Sequence, residues 1–171
     1  MTTDYATYIA GLPRVLAGAG VLFRDAESRI LLVEPNYRDT WILPGGTVES
    51  DADESPRQAA RRETAEEIGL DIDPGRLLVV DWVRGQARPP LVSYIYDGGV
   101  LDPDQLAAIK LQEDELLSWR LLPWDEAEPL LAPGMVRRLR AALDALERGT
   151  GAVELEDGVA PDLEAGVKAA G

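Results

Sequence analysis

The chain has 171 residues, 46% of them hydrophobic, and a formal net charge of −14 with no histidine and no cysteine. These totals predict one globular domain and exclude disulfides, thiol nucleophiles, imidazole bases and ordinary zinc sites. The acidity also disfavours a nucleic-acid backbone as the main partner, because contacts to phosphates need a basic face.

The first half of the chain begins with strand-like segments. Residues 1–14 carry little pattern and are predicted to form an arm or a short helix. Runs rich in apolar residues predict strands over residues 15–24 and 29–34, with a turn between them. Residues 41–43 are extended again, until a Pro-Gly-Gly sequence at 44–46 interrupts them.

The clearest predicted helix follows this glycine loop. Ser55 is a favoured N-cap, and Pro56 is well tolerated at the first helical position. The helical pattern continues over residues 57–68, and Gly69 provides a stop signal. Ala60, Thr64 and Ile68 recur every fourth residue, so they are expected to form a row that packs on a sheet.

Strands and helices alternate through the second half. The predicted strands cover residues 77–84, 91–96 and 116–122, and the predicted helices cover residues 102–109, 125–131 and 134–148. This mixture favours an α/β/α sandwich built on a mixed β-sheet. Residues 149–171 are small and acidic, and we expect most of this tail to be disordered or loosely attached.

Three glutamates of the predicted helix share one face. Glu63, Glu66 and Glu67 stand at positions i, i+3 and i+4, where their charges repel. A cation would turn this repulsion into a binding site, and carboxylate oxygens suit Mg²⁺ or Mn²⁺. Spacing alone leaves a second interpretation open, a solvated face with surface ion pairs.

The sequence around these glutamates resembles the Nudix box, whose pattern is a glycine, five residues, a glutamate, seven residues and R-E-U-x-E-E-x-G-U, with U aliphatic. In this chain Glu54 is followed by seven residues and then by Arg62-Glu63-Thr64-Ala65-Glu66-Glu67-Ile68-Gly69-Leu70. The resemblance implies a Nudix-type α/β/α sandwich with a mixed sheet over residues 15–148, between the N-terminal arm and the acidic tail.

Two positions depart from the pattern. Gly46 and Glu54 are separated by seven residues instead of five, so the loop before the helix carries two extra residues. Thr64 stands where the pattern has an aliphatic residue. The ligand glutamates are intact, whereas the longer loop bears on the placement of Glu54.

The resemblance implies a role for each matching residue. The metal ligands, which also serve catalysis, would be Glu63, Glu66 and Glu67 together with the backbone carbonyl of Gly46. Arg62 and Glu54 would hold the helix and its loop together. The cofactor would be Mg²⁺ or Mn²⁺, and the reaction would be attack of a water activated by the metal on a diphosphate linkage in a nucleotide or a nucleoside-diphosphate derivative.

An acidic loop before residues 116–122 offers a further candidate. The family often takes another acidic residue from this region as a base or metal ligand. Because the chain has no histidine, Glu113 or Glu115 is expected to fill that role. The alternative for either residue is a solvated acidic turn.

Substrate-binding candidates are fewer. Arg38 and Trp41 lead directly into the glycine loop, and Arg24 ends the first predicted strand. Arginine binds phosphate through a planar fork of donors, and tryptophan stacks on rings. Each arginine is also consistent with an ordinary surface residue.

Two alternatives to an active hydrolase remain at this stage. The longer loop motivates a catalytically weak or inactive nucleotide-binding module that regulates a partner. An isoprenyl-diphosphate isomerase shares the fold, but its chemistry in the related family relies on Cys and His, which are absent here. We expect a small nucleotide or diphosphate substrate, no nucleic acid and no membrane, a homodimer and, with no signal peptide, a cytoplasmic location.

Overall fold

The computed structural model describes residues 4–85 and 87–162. In chain order the elements are α1 (Tyr5–Ala10), β1 (Leu16–Arg24), β2 (Ile30–Pro35), β3 (Gly45–Thr47), a 3₁₀ turn (Ser50–Ala52), α2 (Pro56–Ile68), β4 (Leu77–Val83), β5 (Leu91–Val100), α3 (Pro103–Ala108), β6 (Leu116–Leu122), α4 (Trp124–Ala127), a 3₁₀ turn (Glu128–Leu130), α5 (Pro133–Arg148) and β7 (Val153–Glu156). The predicted strands and long helices are confirmed, and β3 and β7 are additional.

The strands form one mixed sheet in the order β6-β2-β1-β5-β4-β7, with β3 paired beside β1. The pairs β1–β5 and β4–β7 are parallel, and the other pairs are antiparallel. Helix α2 packs on one face, against β1, β3 and β5, whereas α5 packs on the other, against β4 and β7. The predicted α/β/α sandwich with a mixed sheet is therefore confirmed.

Alternating side chains of the central strands divide the core into two layers. Val21 and Phe23 of β1 belong to the layer beneath α2, and Leu22 belongs to the layer beneath α5. All three are almost completely buried. This alternation follows from the two-residue period of a strand and fixes which face each site residue of β1 can reach.

Helix α2 begins and ends where the sequence predicts. The Ser55 hydroxyl accepts from the backbone N–H of Gln58, and the Gln58 side chain accepts from the backbone N–H of Ser55, which makes a capping box. Gly69 ends the helix at φ 73°. The predicted row of Ala60, Thr64 and Ile68 is fully buried. Thr64 donates its hydroxyl to Ala60 O at 2.8 Å, so the polar group at an aliphatic position of the box is satisfied.

The prediction of a disordered tail over residues 149–171 is wrong for the segment that forms β7. Strand β7 pairs with β4 from Val79↔Val153 to Trp82↔Glu156, and Leu155 is buried beneath α5. A single buried leucine among acidic and small residues gives too short an alternation to signal a strand. Residues 163–171, which that prediction also covers, lie outside the described residues.

The predicted arm over residues 1–14 contains α1, which has no buried residues. In the part of the chain that the structure describes, no helix is both long and apolar enough to cross a bilayer. The predicted homodimer and cytoplasmic location stay predictions.

Candidate active site

Glu67 lies at the centre of the candidate site and is only 3% exposed. Its Oε2 accepts a hydrogen bond of 2.7 Å from the backbone N–H of Gly45, which joins α2 to β3. The pKa of Glu67 is raised to about 8, chiefly by burial and also by the charges of Glu63, Glu115 and Glu66, against the lowering effect of the Gly45 hydrogen bond. The site thus disfavours the ionised form of Glu67.

Both glycines of β3 have close neighbours where a side chain would stand. Gly45 has φ 144°, and a Cβ there would overlap the carbonyl of Ala19 on β1. A Cβ on Gly46 would overlap the carboxylate of Glu63, which lies directly over it. Glycine at these positions allows α2 to bring its carboxylates against the β3 backbone.

Arg62 connects α2 to the loop before it. Its Nε and Nη2 donate to Glu54 Oε1 and Oε2 at 2.8 and 3.1 Å, and Nη2 also donates to the carbonyl of Thr47 at 3.1 Å. Its Nη1 lies 2.9 Å from Glu66 Oε2 and 3.0 Å from Glu63 Oε1. The hydrogen bonds from Arg62 lower the pKa of Glu54, so this carboxylate is ionised at neutral pH.

The two extra residues of the loop are accommodated locally. The loop that carries them contains the 3₁₀ turn Ser50–Ala52, after which Asp53 adopts a left-handed conformation at φ 61°. Glu54 also accepts from the backbone N–H of Glu49 at 2.9 Å. Glu54 therefore still pairs with Arg62 despite the longer loop. The longer loop was the reason to consider an inactive binding module, and this pairing weakens that reason.

The carboxylates suit a hard divalent cation by their chemistry. They offer only oxygen donors, and a cation would relieve the repulsion that raises the pKa of Glu67. As they stand, however, no three acidic side chains among residues 4–85 and 87–162 converge on one ion position. Arg62 Nη1 lies between Glu63 and Glu66 and contacts one oxygen of each, which leaves the other oxygen of each carboxylate for an ion.

The acidic loop before β6 brings one of its two candidates to the site. Glu115 lines the same cavity as the α2 glutamates, and its charge raises the pKa of both Glu63 and Glu67. Its backbone carbonyl accepts from Asn36 at 2.8 Å, which fixes the loop to the end of β2. Glu113 is exposed and does not line this cavity.

The cavity, which we call the glutamate cleft, has a volume of about 660 Å³. It is lined by Glu63, Glu66, Glu67, Glu115, Arg62 and residues 45–47. Beside it lies a second cavity of about 280 Å³, the glycine cleft, which is lined by Gly18, Gly20, Arg38, Leu91, Ser93 and Met135. Tyr37 and residues 45–47 line both. The two clefts therefore form one continuous depression of the size typical of small-molecule sites.

The three predicted substrate-binding residues lie in different places. Arg38 lines the glycine cleft, with its guanidinium 4.9 Å from the ring of Tyr37. Trp41 is 6% exposed in the core beneath α5 and stacks with Arg120, so it lines neither cleft. Arg24, at the far end of β1, pairs with Asp97 at 3.3 Å and also lines neither cleft.

Sequence reasoning did not identify Gly18, Gly20 and Ser93 as cleft residues. The available signal was a pair of glycines at alternate positions of β1, since glycine inside a strand often marks a close approach of a ligand or another backbone. Ser93 gave no signal, because only the strand register places it beside Gly18.

Comparison with known proteins identifies the fold and the family together. The NUDIX domain family model matches residues 15–144, which is most of the chain. The chain belongs to the NUDIX family.

Individual relatives match shorter stretches. The chain is 47% identical over 55 residues to diphosphoinositol polyphosphate phosphohydrolase 2 of Rattus norvegicus, covering 32% of this chain and 30% of the relative. It spans less than half the length of the curated relatives that it matches first.

Two solved structures are similar in fold over a larger share of the chain. A UDP-X diphosphatase superposes with a TM-score of 0.68 at 20% identity, covering 91% of this chain and 75% of the other. An ADP-ribose pyrophosphatase from Streptococcus suis superposes with a TM-score of 0.56 at 22% identity, covering 82% and 98%. At these identities the comparison establishes the fold alone.

Proposed function

We propose that this chain is a hydrolase that cleaves a phosphoric anhydride bond in a nucleotide or nucleoside-diphosphate derivative and depends on Mg²⁺ or Mn²⁺. The observation that carries the proposal is the buried Glu67 within a group of carboxylates at the mouth of a cleft. Uncompensated negative charge in a concave site is costly for folding alone, and it is typical of sites that bind a cation.

Glu63, Glu66 and Glu67 would hold the metal, with the backbone carbonyl of Gly46 as a further ligand. When bound, the metal would neutralise charge on the diphosphate and lower the pKa of an attacking water. All the proposed side-chain donors are carboxylates, which favours Mg²⁺ or Mn²⁺ over softer ions.

The remaining site residues would hold the loop, accept a proton and contact the substrate. Arg62, through its paired hydrogen bonds to Glu54, would hold the loop that shapes the glutamate cleft. Glu115, which lines the cleft from the loop before β6, would accept a proton from the attacking water. Arg38 would contact the substrate from the rim of the glycine cleft.

The glycine cleft indicates what the rest of the substrate looks like. Its lining is mainly backbone, aliphatic and aromatic, and Arg38 is the cation among its described lining residues. A polyphosphorylated inositol, which the rat relative's name implies for that protein, would need several cations there. A nucleoside, with a neutral ring and one sugar, suits this lining better.

The experiment is a panel of phosphoric anhydrides incubated with the full chain and Mg²⁺ or Mn²⁺, with products separated and identified. ADP-ribose, a UDP-sugar and diadenosine tetraphosphate test nucleotide substrates, and a diphosphoinositol polyphosphate tests the alternative. We expect a nucleoside monophosphate to be released from at least one nucleotide compound, and no release without a divalent metal. Absence of release from every compound at both metals would contradict the proposal.

A further inference from the structure

A row of three residues crosses the sheet on the face that α5 covers. Gly18 of β1 is the register partner of Ser93 of β5, and Ser93 is the partner of Asp81 of β4. Register partners point to the same face, so the side chains of Ser93 and Asp81 lie side by side. Because Gly18 has no side chain, the space next to Ser93 is open and belongs to the glycine cleft.

Arg138 of α5 lies over this row and contacts both polar side chains. Its Nε is 2.9 Å from Asp81 Oδ2, close enough for an ion pair although not aligned as a hydrogen bond. Its Nη1 donates to Ser93 Oγ at 3.3 Å. Arg138 is 14% exposed and Asp81 is completely buried, so the charges are held inside the protein.

The contact of Arg138 with Ser93 is not needed to hold the C-terminal strand β7 in place. Asp81 Oδ1 accepts from the backbone N–H of Gly158 at 2.9 Å, and Arg84 pairs with Asp157, so the end of β7 has its own contacts. A buried ion pair adds little net stability, because desolvation offsets the attraction. The Arg138–Ser93 hydrogen bond instead connects this pair to the wall of the glycine cleft.

The hydrogen bond also determines what Ser93 can offer a ligand. A serine hydroxyl has one donor hydrogen and two acceptor lone pairs. Its oxygen accepts from Arg138, which leaves the hydrogen available to a ligand on the open side of Ser93 that faces the cleft. The positive guanidinium polarises the hydroxyl and makes it a better donor.

We propose that Ser93 is a specificity-determining residue, positioned by Arg138, whose hydroxyl donates to an acceptor atom on the uncharged half of the substrate. The proposal rests on the proposed function for the identity of that half, a nucleoside in the glycine cleft. The acceptor is a carbonyl oxygen or ring nitrogen of the base, because the phosphates belong to the glutamate cleft.

The test measures binding, so it does not depend on turnover. Titration calorimetry of the full chain with AMP, GMP, CMP and UMP in Mg²⁺ identifies the nucleotide that binds most tightly. We expect Ser93→Ala to raise its Kd by about 3- to 10-fold, the range for one lost hydrogen bond, and Ser93→Thr, which keeps the hydroxyl, to stay within about twofold. Ser118→Ala is the matched control, because Ser118 of β6 donates its hydroxyl to Glu34 of β2 and lines neither cleft.

A double-variant cycle tests the positioning role of Arg138. Arg138→Lys keeps a positive charge beside Asp81 but loses the guanidinium donor to Ser93, so we expect a similar rise in Kd. Combined with Ser93→Ala it should add almost nothing, because both changes remove the same donated hydrogen bond. The control is Arg137→Lys on the neighbouring position, whose side chain contacts the backbone of Asp157.

Three results would overturn the proposal: an unchanged Kd in Ser93→Ala, fully additive losses in the double variant, or no binding of any of the four nucleotides to the wild type. Hydrolysis is measured separately on the same samples. If nucleotide binding depends on Ser93 but no compound is hydrolysed, the proposed function is refuted and this inference stands. If hydrolysis occurs and is unaffected by Ser93→Ala, the proposed function stands and this inference is refuted.

Discussion

The backbone N–H of Gly45 and the carboxylate of Glu67 form a 2.7 Å hydrogen bond between β3 and α2. This single neutral donor is the hydrogen-bond partner that the structure gives to a carboxylate that is almost entirely excluded from water. One neutral hydrogen bond does not offset the loss of hydration of a full charge. Ionisation of Glu67 is therefore disfavoured, and its protonation and metal binding should be visible in the stability of the protein.

Stability without metal should fall as pH rises from about 5 to 8. The folded pKa of Glu67, about 8, exceeds the ordinary glutamate pKa of 4.5, so the folded chain binds more protons than the unfolded chain in this window. The stabilisation is complete below pH 4.5 and is lost as pH rises through 8. Because the chain has no histidine, few other side chains titrate there. Thermal unfolding in EDTA measures the slope.

Glu67→Gln is the matched variant for this pH dependence. Its amide oxygen can still accept from Gly45, but its charge is gone, so we expect a flatter profile and a higher Tm at pH 8. We expect the Tm to rise by a few degrees, because 1 kcal/mol of stability shifts the Tm of a chain of this size by about 2–4 °C. Adding Mg²⁺ should flatten the wild-type profile as well. A wild-type Tm that is constant or rises over pH 5–8 would show that Glu67 is ionised at no cost.

The acidic loop before β6 offers a matched pair of variants. Glu115→Gln should lower kcat by about 10²-fold or more, the usual contribution of a general base, because Glu115 lines the glutamate cleft. Glu113→Gln should leave turnover unchanged, because Glu113 is exposed outside it. Steady-state kinetics of both variants decide the point. Near-normal turnover in both would remove this loop from the mechanism.

The Glu54–Arg62 contact should matter for activity more than for folding. Glu54→Gln removes the paired ionic hydrogen bonds to Arg62 and frees the longer loop, so we expect lower kcat/KM and a loss of roughly 1–2 kcal/mol in stability. Asp51→Asn, in the exposed 3₁₀ turn of the same loop, is the control and should change neither. Equal effects of the two changes would mean that the contact has no special role.

Gly20 is predicted to serve substrate binding rather than the fold. A Cβ there would meet Pro44 O at 3.5 Å and Leu43 Cβ at 3.6 Å, which are ordinary contacts, so alanine fits without strain. Gly20→Ala should keep or slightly raise the Tm, since glycine weakens a strand. It should raise KM about tenfold by filling the glycine cleft. An unchanged KM would exclude substrate from the space over β1.

The sequence predicted most of the fold because its signals are local. Helix α2 was bounded correctly by the Ser55 cap, Pro56 and Gly69, all of which act through their own backbone conformation. Strand β7 was missed because its stability comes from pairing with β4, more than 70 residues earlier, and from burying Leu155. Long-range pairing of this kind leaves little trace in four residues of sequence.

The residues of the candidate site also divide into those that local sequence patterns predicted and those that only the tertiary structure reveals. The i, i+3, i+4 spacing placed the α2 glutamates on one face, and the family pattern linked Glu54 to Arg62 as the structure has them. Spacing could not separate Glu115 from Glu113, or reveal that Trp41 is core. Ser93 reaches the cleft only through strand register and through Arg138, which comes from a distant helix.

The most direct test of the central claim compares wild type with Glu67→Gln for release of a nucleoside monophosphate from the best substrate, with Mg²⁺ and with EDTA. We expect metal-dependent release by the wild type, and loss of at least about 10³-fold in kcat in a variant that remains folded and is more stable without metal. Wild-type turnover in Glu67→Gln, or undiminished wild-type turnover in EDTA, would contradict the assignment of the glutamate cleft as a metal-dependent active site.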